Sequence, residues 1–186
     1  AKSDKELLPR KIINSNGSFS YRFKLEADAR TPTFEELDEL IENPPQYKLE
    51  KDFIRSVFVT LRALKVKVLI GRIHSEKTSA LWIPSKRMIR IDPTNLSFGT
   101  RAFSILLNHE IIHVAQSCSS GKITQKPRTL GANRSLSRIH KETLSSSTYK
   151  DYSFVEKLVE AEAYTNQEDL RLGYWLLSQY CNYYYR

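Results

Sequence analysis

The stretch that most constrains how this chain folds is residues 105–116, which read ILLNHEIIHVAQ. It lies within a longer segment, residues 101–117, whose apolar positions follow helical spacing. A helix that is apolar around its circumference has to be enclosed by other elements. The same helix carries two histidines and one glutamate, and burying them without a shared task would cost several kcal/mol. We therefore expect a central helix that holds a buried polar site.

Length and composition set the class of protein. The chain has 186 residues, of which 40 % are hydrophobic and 27 % are charged, which excludes a disordered tail. Two cysteines are too few for a disulfide-scaffolded miniprotein, and no apolar run approaches the roughly 18 residues of a membrane-spanning helix. We expect one domain at residues 33–186, preceded by residues 1–32 as an N-terminal arm or a small strand pair with a turn at Asn16 and Gly17.

Neither the start of the chain nor its two cysteines determine the cellular compartment of the protein. The chain begins at Ala1 rather than Met, so we interpret the N-terminus as truncated, and a leader, propeptide or anchor upstream would not be visible. Secreted, membrane-anchored and cytoplasmic locations all stay open. Cys118 and Cys181 fit either a reduced pair in the cytosol or a single bridge in an oxidising compartment.

The basic charge is concentrated in two segments. The formal net charge is +8, yet residues 65–101 carry eight basic and two acidic residues, and residues 118–150 carry seven and one. These segments flank the central helix, and residues 151–186 follow with six acidic and three basic residues. Such runs are typical of a solvated surface, and they also suggest an acidic partner.

Hydrophobic periodicity and cap residues predict the remaining elements. Thr33 and Glu36 form a capping box before a short helix that has to end ahead of Pro44. The other expected elements are an amphipathic helix over residues 49–64, strands at residues 66–70, 80–83 and 87–91, a long loop over residues 118–150 with a short helix near residues 135–144, a helix from residue 152 to residue 170, a break at Gly173, and an aromatic helix that ends at residues 180–185. This order predicts an α+β fold, with a small, twisted, mainly antiparallel sheet packed on the central helix and with C-terminal helices.

The central helix contains the pattern His-Glu-x-x-His, formed by His109, Glu110 and His113. Positions i and i+4 lie on one helix face, so both imidazoles can reach the same metal ion. Catalytic zinc keeps its fourth position for a water, whose pKa falls to about 7 and whose proton a nearby carboxylate can take. Composition alone would produce this pattern about 0.005 times in such a chain. We therefore predict a Zn²⁺ site with His109 and His113 as ligands and Glu110 as the catalytic base.

A third protein ligand is required, and helical geometry favours Glu160. His74 and His140 do not stand at the short spacing expected of three histidines on one segment. On the later helix Glu160 shares a side with small Ala163, so we expect it to face the core. Steps of about 100° put Glu162 roughly on the opposite side, where we expect a solvated side chain.

These two motifs together resemble a known family. HEIIH at residues 109–113 followed by EAEA at residues 160–163 is similar to the gluzincin class of zinc metallopeptidases. The resemblance covers roughly residues 60–170 and implies a minimal zincin-like domain, zinc held by two histidines and a glutamate, and hydrolysis of peptide bonds. Many gluzincins carry an acidic residue four positions after the ligand glutamate to orient a histidine, and here that position is Tyr164. The substitutes we consider for this role are Asn108, Gln116, Gln167 or a backbone carbonyl.

The resemblance also suggests where a substrate lies. In zincins an exposed edge strand before the active-site helix pairs with the peptide, and residues 87–91 occupy that place in this sequence. Hydrolysis further needs a hydrogen-bond donor for the carbonyl oxygen. The candidates by residue type are Tyr149, Tyr152, Tyr164, His140 and Arg138.

Two other functions compete with peptide hydrolysis. One is a zincin-fold protein that binds metal but acts in regulation without activity, and the other is a basic binder of nucleic acid or anionic membrane with a structural metal. We expect a peptide or protein substrate, with acidic peptides favoured by the flanking basic segments. We do not expect a nucleic-acid partner, because the basic loop lacks interleaved aromatic residues, and membrane association stays open.

Overall fold

The computed structural model describes residues 2–24, 30–73 and 78–181, so His74 and residues 182–185 of the predicted aromatic helix lie outside the described part. The α-helices are α1 Lys2–Leu7, α2 Phe34–Glu42, α3 Lys48–Ala63, α4 Gly99–Ser119, α5 Arg138–Leu144, α6 Phe154–Asn166 and α7 Leu170–Cys181. The strands are β1 Arg10–Ile13, β2 Phe19–Arg22, β3 Lys67–Ile70, β4 Ala80–Ile83 and β5 Met88–Ile91. Short 3₁₀ turns occupy Pro84–Lys86, Pro93–Phe98 and Ser147–Tyr149. The fold is α+β, as predicted, and no helix among the described residues is long and apolar enough to cross a membrane.

The main sheet has three strands in the order β3-β5-β4. β5 pairs in parallel with β3 and antiparallel with β4, so this sheet is mixed rather than mainly antiparallel. The prediction that residues 87–91 form an exposed edge strand is wrong, because β5 is the central strand. Ile89 and Ile91 of β5 are fully buried, and the outer strands are β3 and β4. Apolar alternation identifies a strand but does not determine its neighbours.

The N-terminal region contains the small strand pair that the sequence left as one of two alternatives. β1 and β2 form an antiparallel hairpin, and its turn is closed by the Gly17 N–H donating to the Asn14 carbonyl at 3.0 Å. Gly17 has a φ of 79°, a conformation that glycine adopts without steric cost. Ahead of the hairpin, Asp4 of α1 accepts hydrogen bonds from the backbone N–H and hydroxyl of Thr100 at 2.6 and 2.7 Å. A carboxylate there caps the N-terminus of α4 and ties α1 to it.

α4 is the enclosed central helix that the sequence predicts. Every residue from Leu107 to Cys118 is buried, because the sheet, α3, α6 and α7 pack around this helix. The Trp82 indole N–H donates to the Ser117 hydroxyl at 2.8 Å, which attaches β4 to α4. A disulfide joins Cys118 at the end of α4 to Cys181 at the end of α7. The enclosure buries His109, Glu110 and His113.

The turn between the two C-terminal helices, α6 and α7, packs against α4. The predicted break at Gly173 is wrong, since the chain turns between Asn166 and Leu170 and Gly173 lies inside α7. Asn108 of α4 explains the turn, because its side-chain amide donates to the carbonyls of Gln167 and Asp169 at 2.8 and 3.0 Å. Gly173 is the point of closest approach, where an added Cβ would stand 1.8 Å from the Asn108 side-chain oxygen.

We predict that Gly173→Ala lowers the free energy of unfolding by about 2 kcal/mol, although the same change in an exposed helix stabilises by up to about 1 kcal/mol. The cause is the clash with Asn108. In the Asn108→Ala background, which removes the clashing atoms, the further change Gly173→Ala should cost much less. Urea denaturation of the four proteins measures this coupling, and equal effects of Gly173→Ala in both backgrounds would contradict the proposed contact.

Candidate metal centre

The structure brings together the three side chains that the sequence selected as metal ligands. His109 and His113 lie one turn apart on α4, and Glu160 reaches them from α6. The two Nε2 atoms are 3.1 Å apart, and each lies 3.5 Å from one carboxylate oxygen of Glu160. Both imidazoles are buried. This group of two imidazole nitrogens and one carboxylate oxygen could hold a metal ion.

The Gln116 side chain determines which nitrogen of His113 faces this group. The Gln116 amide NH₂ donates to the Val159 carbonyl and to a Glu162 oxygen at 3.1 and 2.9 Å. Its oxygen is therefore the atom that lies 2.7 Å from His113 Nδ1, and that nitrogen carries a hydrogen. The lone pair of His113 consequently lies on Nε2, directed at His109 and Glu160. Three electron-rich atoms at such short separations are stable together only around a proton or a metal ion.

Gln167 holds the second imidazole in the same way. Its side-chain oxygen lies 3.1 Å from His109 Nδ1, and its amide nitrogen lies 3.2 Å from Nε2 of His140. The ring of Tyr164 packs edge-on against the His109 ring, with 4.6 Å between centroids. Two of the predicted substitutes for the missing acidic residue, Gln116 and Gln167, therefore orient the histidines. Asn108 has the structural role described above instead.

The prediction that Glu162 is a solvated side chain is wrong, because its carboxylate is fully buried. Besides the Gln116 amide, it accepts hydrogen bonds from the backbone N–H groups of Leu130 and Ala132 at 2.7 and 2.8 Å. α6 is thus covered on both sides, by α4 and by the loop that follows α4. Helical periodicity misses this because the loop buries the second face with backbone donors instead of apolar side chains.

Charge coupling links the donor atoms. Burial by itself would lower the pKa of His113, but the Glu160 carboxylate outweighs it and raises that pKa to about 9. Burial by itself would raise the pKa of the Glu160 carboxyl. The neighbouring histidines outweigh this effect and hold that pKa well below its usual range. The group therefore retains a carboxylate and attracts a positive charge.

Glu110 has an environment unlike that of Glu160. It is buried, and burial raises the pKa of its carboxyl despite the opposing influence of His109 and His113. The backbone N–H of Trp82 on β4 also favours the charged form of this carboxyl, and among the described residues Oε2 has no hydrogen-bond partner. The sequence contains no signal for the Trp82 contact, since it depends on how β4 lies against α4.

A cleft of about 1060 Å³ gives access to the donor group and to Glu110. Tyr149, Tyr152 and Tyr164 line it, and the hydroxyls of Tyr149 and Tyr164 are 2.8 Å apart. Burial and the charge of Glu160 raise the pKa of Tyr149, so its hydroxyl stays protonated at neutral pH. The other two residues predicted as hydrogen-bond donors to the carbonyl oxygen, Arg138 and His140, do not line the cleft. Arg138 pairs with Glu142 at the surface, and His140 stands behind Tyr164.

Comparison with known proteins gives no relative: no protein-family model, no curated protein and no solved structure matches this chain. Functional conclusions therefore depend on the site itself.

We predict that Glu162→Gln lowers the free energy of unfolding by about 2–4 kcal/mol, because an NH₂ group then faces a buried backbone donor. The variant should also bind Zn²⁺ about 10–100-fold more weakly, since Gln116 no longer holds His113 firmly. Chemical denaturation and competition with a zinc-sensitive dye measure the two effects. Glu168→Gln makes the same charge change at an exposed position nearby and should alter neither quantity. Unchanged zinc affinity in Glu162→Gln would disprove the link through Gln116.

In EDTA-treated protein we predict that stability falls as the pH rises. The pKa of His113 is about 9 in the folded state and about 6.5 in the unfolded state, so its contribution is complete below pH 6.5 and is lost as the pH rises through 9. This difference in pKa corresponds to about 3 kcal/mol. Urea denaturation across this pH range measures the loss, and His113→Gln should have a much flatter profile. A wild-type profile that rises with pH would contradict the pairing with Glu160.

Proposed function

We propose that this chain is a zinc-dependent hydrolase of peptide bonds, built like a small gluzincin. The observation that carries the proposal is the orientation of His113 and His109, whose Nε2 atoms point at one carboxylate oxygen of Glu160 within 3.1–3.5 Å. Donors that share one tetrahedral zinc at about 2.0–2.2 Å are about 3.3 Å apart, so the separations fit. Two imidazoles with one carboxylate are a donor set of catalytic zinc sites that leave a position for water.

The zinc, when bound, supplies a positive charge that lowers the pKa of a water and polarises a carbonyl oxygen. Glu110 is the group that takes the proton of the attacking water. Burial raises the pKa of its carboxyl toward the working range of a general base, and its Oε2 atom is free to accept. The water oxygen bonds to the carbonyl carbon, the C–N bond breaks, and Glu110 passes the proton to the leaving nitrogen. The backbone N–H of Trp82 favours the charged form of Glu110, which is the form that accepts the proton.

The edge of β4 supports a peptide as the substrate. Ser79 accepts a hydrogen bond from the Asp92 N–H, so the alternate residues Ala80 and Trp82 direct their backbone groups away from β5. Both residues line the cleft, where an extended peptide can pair with the N–H and C=O of Ala80 and with the C=O of Trp82, whose N–H faces Glu110. The hydroxyls of Tyr149 and Tyr164 are hydrogen-bonded to each other, so one of their two O–H groups is left to donate to the carbonyl oxygen as negative charge develops on it.

A preference for acidic peptides stays a prediction. Lys126 is the one lysine or arginine among the described residues that line the cleft, and Glu156 lies there too. Among the described residues, the cleft lining therefore carries little basic charge. The exposed apolar side chains of Leu81 and Val155 also line the cleft. They favour apolar side chains in a substrate as directly as Lys126 favours acidic ones.

We predict that the full chain, dialysed against EDTA and reloaded with ZnCl₂, retains about one zinc per chain and cleaves peptides from a quenched fluorescent library. Glu160→Gln should weaken zinc binding by more than about 100-fold. Glu110→Gln should keep the zinc and lower kcat by about 10²–10⁴-fold, because only the base is lost. Elemental analysis and initial rates separate these effects, with Glu168→Gln as the control that keeps both.

The same experiment distinguishes the alternatives. Full zinc retention in Glu160→Gln would refute the ligand assignment, and an unchanged rate in Glu110→Gln would refute the base. A wild-type chain that binds zinc and cleaves no library peptide would be a metal-binding protein without hydrolytic activity.

A further inference from the structure

A groove lies along β3, at the sheet edge opposite the cleft. β3 is an outer strand, and a cavity of about 450 Å³ runs between it and the C-terminal part of α3. We call this cavity the β3 groove. Its walls include Phe58, Val59, Arg62, Lys65, Lys67 and Val68. The proposed hydrolysis uses none of these residues.

The strand presents unpaired backbone groups along the groove. Lys67 N–H donates to the Arg87 carbonyl at 2.8 Å and Gly71 N–H donates to the Ile91 carbonyl at 3.0 Å. In a parallel ladder alternate residues bond to the same neighbour, so Val68 and Ile70 direct their N–H and C=O groups away from β5. Within the described ranges no strand pairs with that side of β3. Such an edge is a template for another extended chain.

The charged side chains that line the groove are all basic. Arg62, Lys65 and Lys67 form no ion pair with any residue in the described part of the chain. The sequence has no acidic residue between Asp52 and Glu76 that could compensate them. Apolar side chains line the same groove, with Val59 70 % and Phe58 40 % exposed. A ligand that complements the groove is therefore negatively charged and partly apolar.

The backbone at Lys65 supports a role for its side chain. α3 ends in a Schellman motif, in which Val66 N–H donates to the Leu61 carbonyl and Lys65 N–H to the Arg62 carbonyl. Lys65 occupies the left-handed position of this motif with a φ of 56°, where glycine is strongly preferred. A lysine there strains the backbone and places a cation at the groove.

We propose that the β3 groove binds an acidic, extended segment of a partner protein, which adds to β3 as a further strand. The extended chain supplies partners for the backbone groups of Val68 and Ile70, and its acidic side chains pair with the lysines. A lipid surface or a nucleic acid neutralises cations but does not satisfy alternating strand N–H and C=O groups. A second copy of this edge brings the same cations and is repelled.

The test uses fluorescence anisotropy with a labelled ten-residue peptide of alternating glutamate and valine. The full chain carries Glu110→Gln so that the peptide is not consumed, and the effect of Lys67→Glu distinguishes binding at β3 from binding at the β4 edge in the cleft. We expect saturable binding that weakens with added NaCl and that is lost when alternate backbone nitrogens of the peptide are methylated. Lys67→Glu should raise the Kd about tenfold and Lys65→Gly about threefold.

Two matched variants separate binding from folding. Lys65→Gly relieves the left-handed strain, so it should unfold at an equal or higher urea concentration while binding the peptide more weakly. Lys141→Glu makes the charge change of Lys67→Glu on exposed α5 and should leave the Kd unchanged. The proposal is overturned by no saturable binding at low salt, by equal binding of the methylated peptide, or by a preference for phosphatidylserine vesicles or single-stranded DNA.

Discussion

The ring nitrogens of His109 and His113 impose the constraint on which the rest of the site depends. Two buried imidazoles can direct both Nε2 lone pairs at Glu160 only if each Nδ1–H has its own acceptor. Gln116 supplies one acceptor, and its orientation is fixed in turn by the buried carboxylate of Glu162. Because Glu162 also accepts two backbone N–H groups of the loop after α4, that loop and the donor group are parts of one hydrogen-bond network.

Both outer strands of the three-stranded sheet border a cavity. β4 lies against α4, where the Trp82 indole N–H donates to the Ser117 hydroxyl and the Trp82 backbone N–H faces Glu110. The outward backbone groups of β4 are thereby placed in the cleft. β3, on the other side of β5, borders a basic groove instead. An open sheet has two edge strands, and in this fold the surroundings of the two edges differ.

Sequence reasoning succeeded where a local pattern carries the information. Helical spacing, the capping box at Thr33 and the i, i+4 pair on α4 were sufficient to predict most elements within a few residues and to place Glu160 beside the two histidines. It failed for Glu162 and Gly173, because both depend on what packs against them. A loop rich in backbone donors can bury a carboxylate, and a glycine inside a helix can permit a close contact instead of ending the helix.

The helical spacing and apolar character of residues 101–117 already require that α4 is buried, with His109 and His113 on one face and Glu110 on the adjoining edge. The order of the strands, the partners of the imidazoles and the burial of Glu162 depend instead on how the elements pack. Those features are contacts between residues far apart in the chain, such as Gln116 with Glu162, and no local spacing encodes which distant backbone or side chain will complete a hydrogen bond.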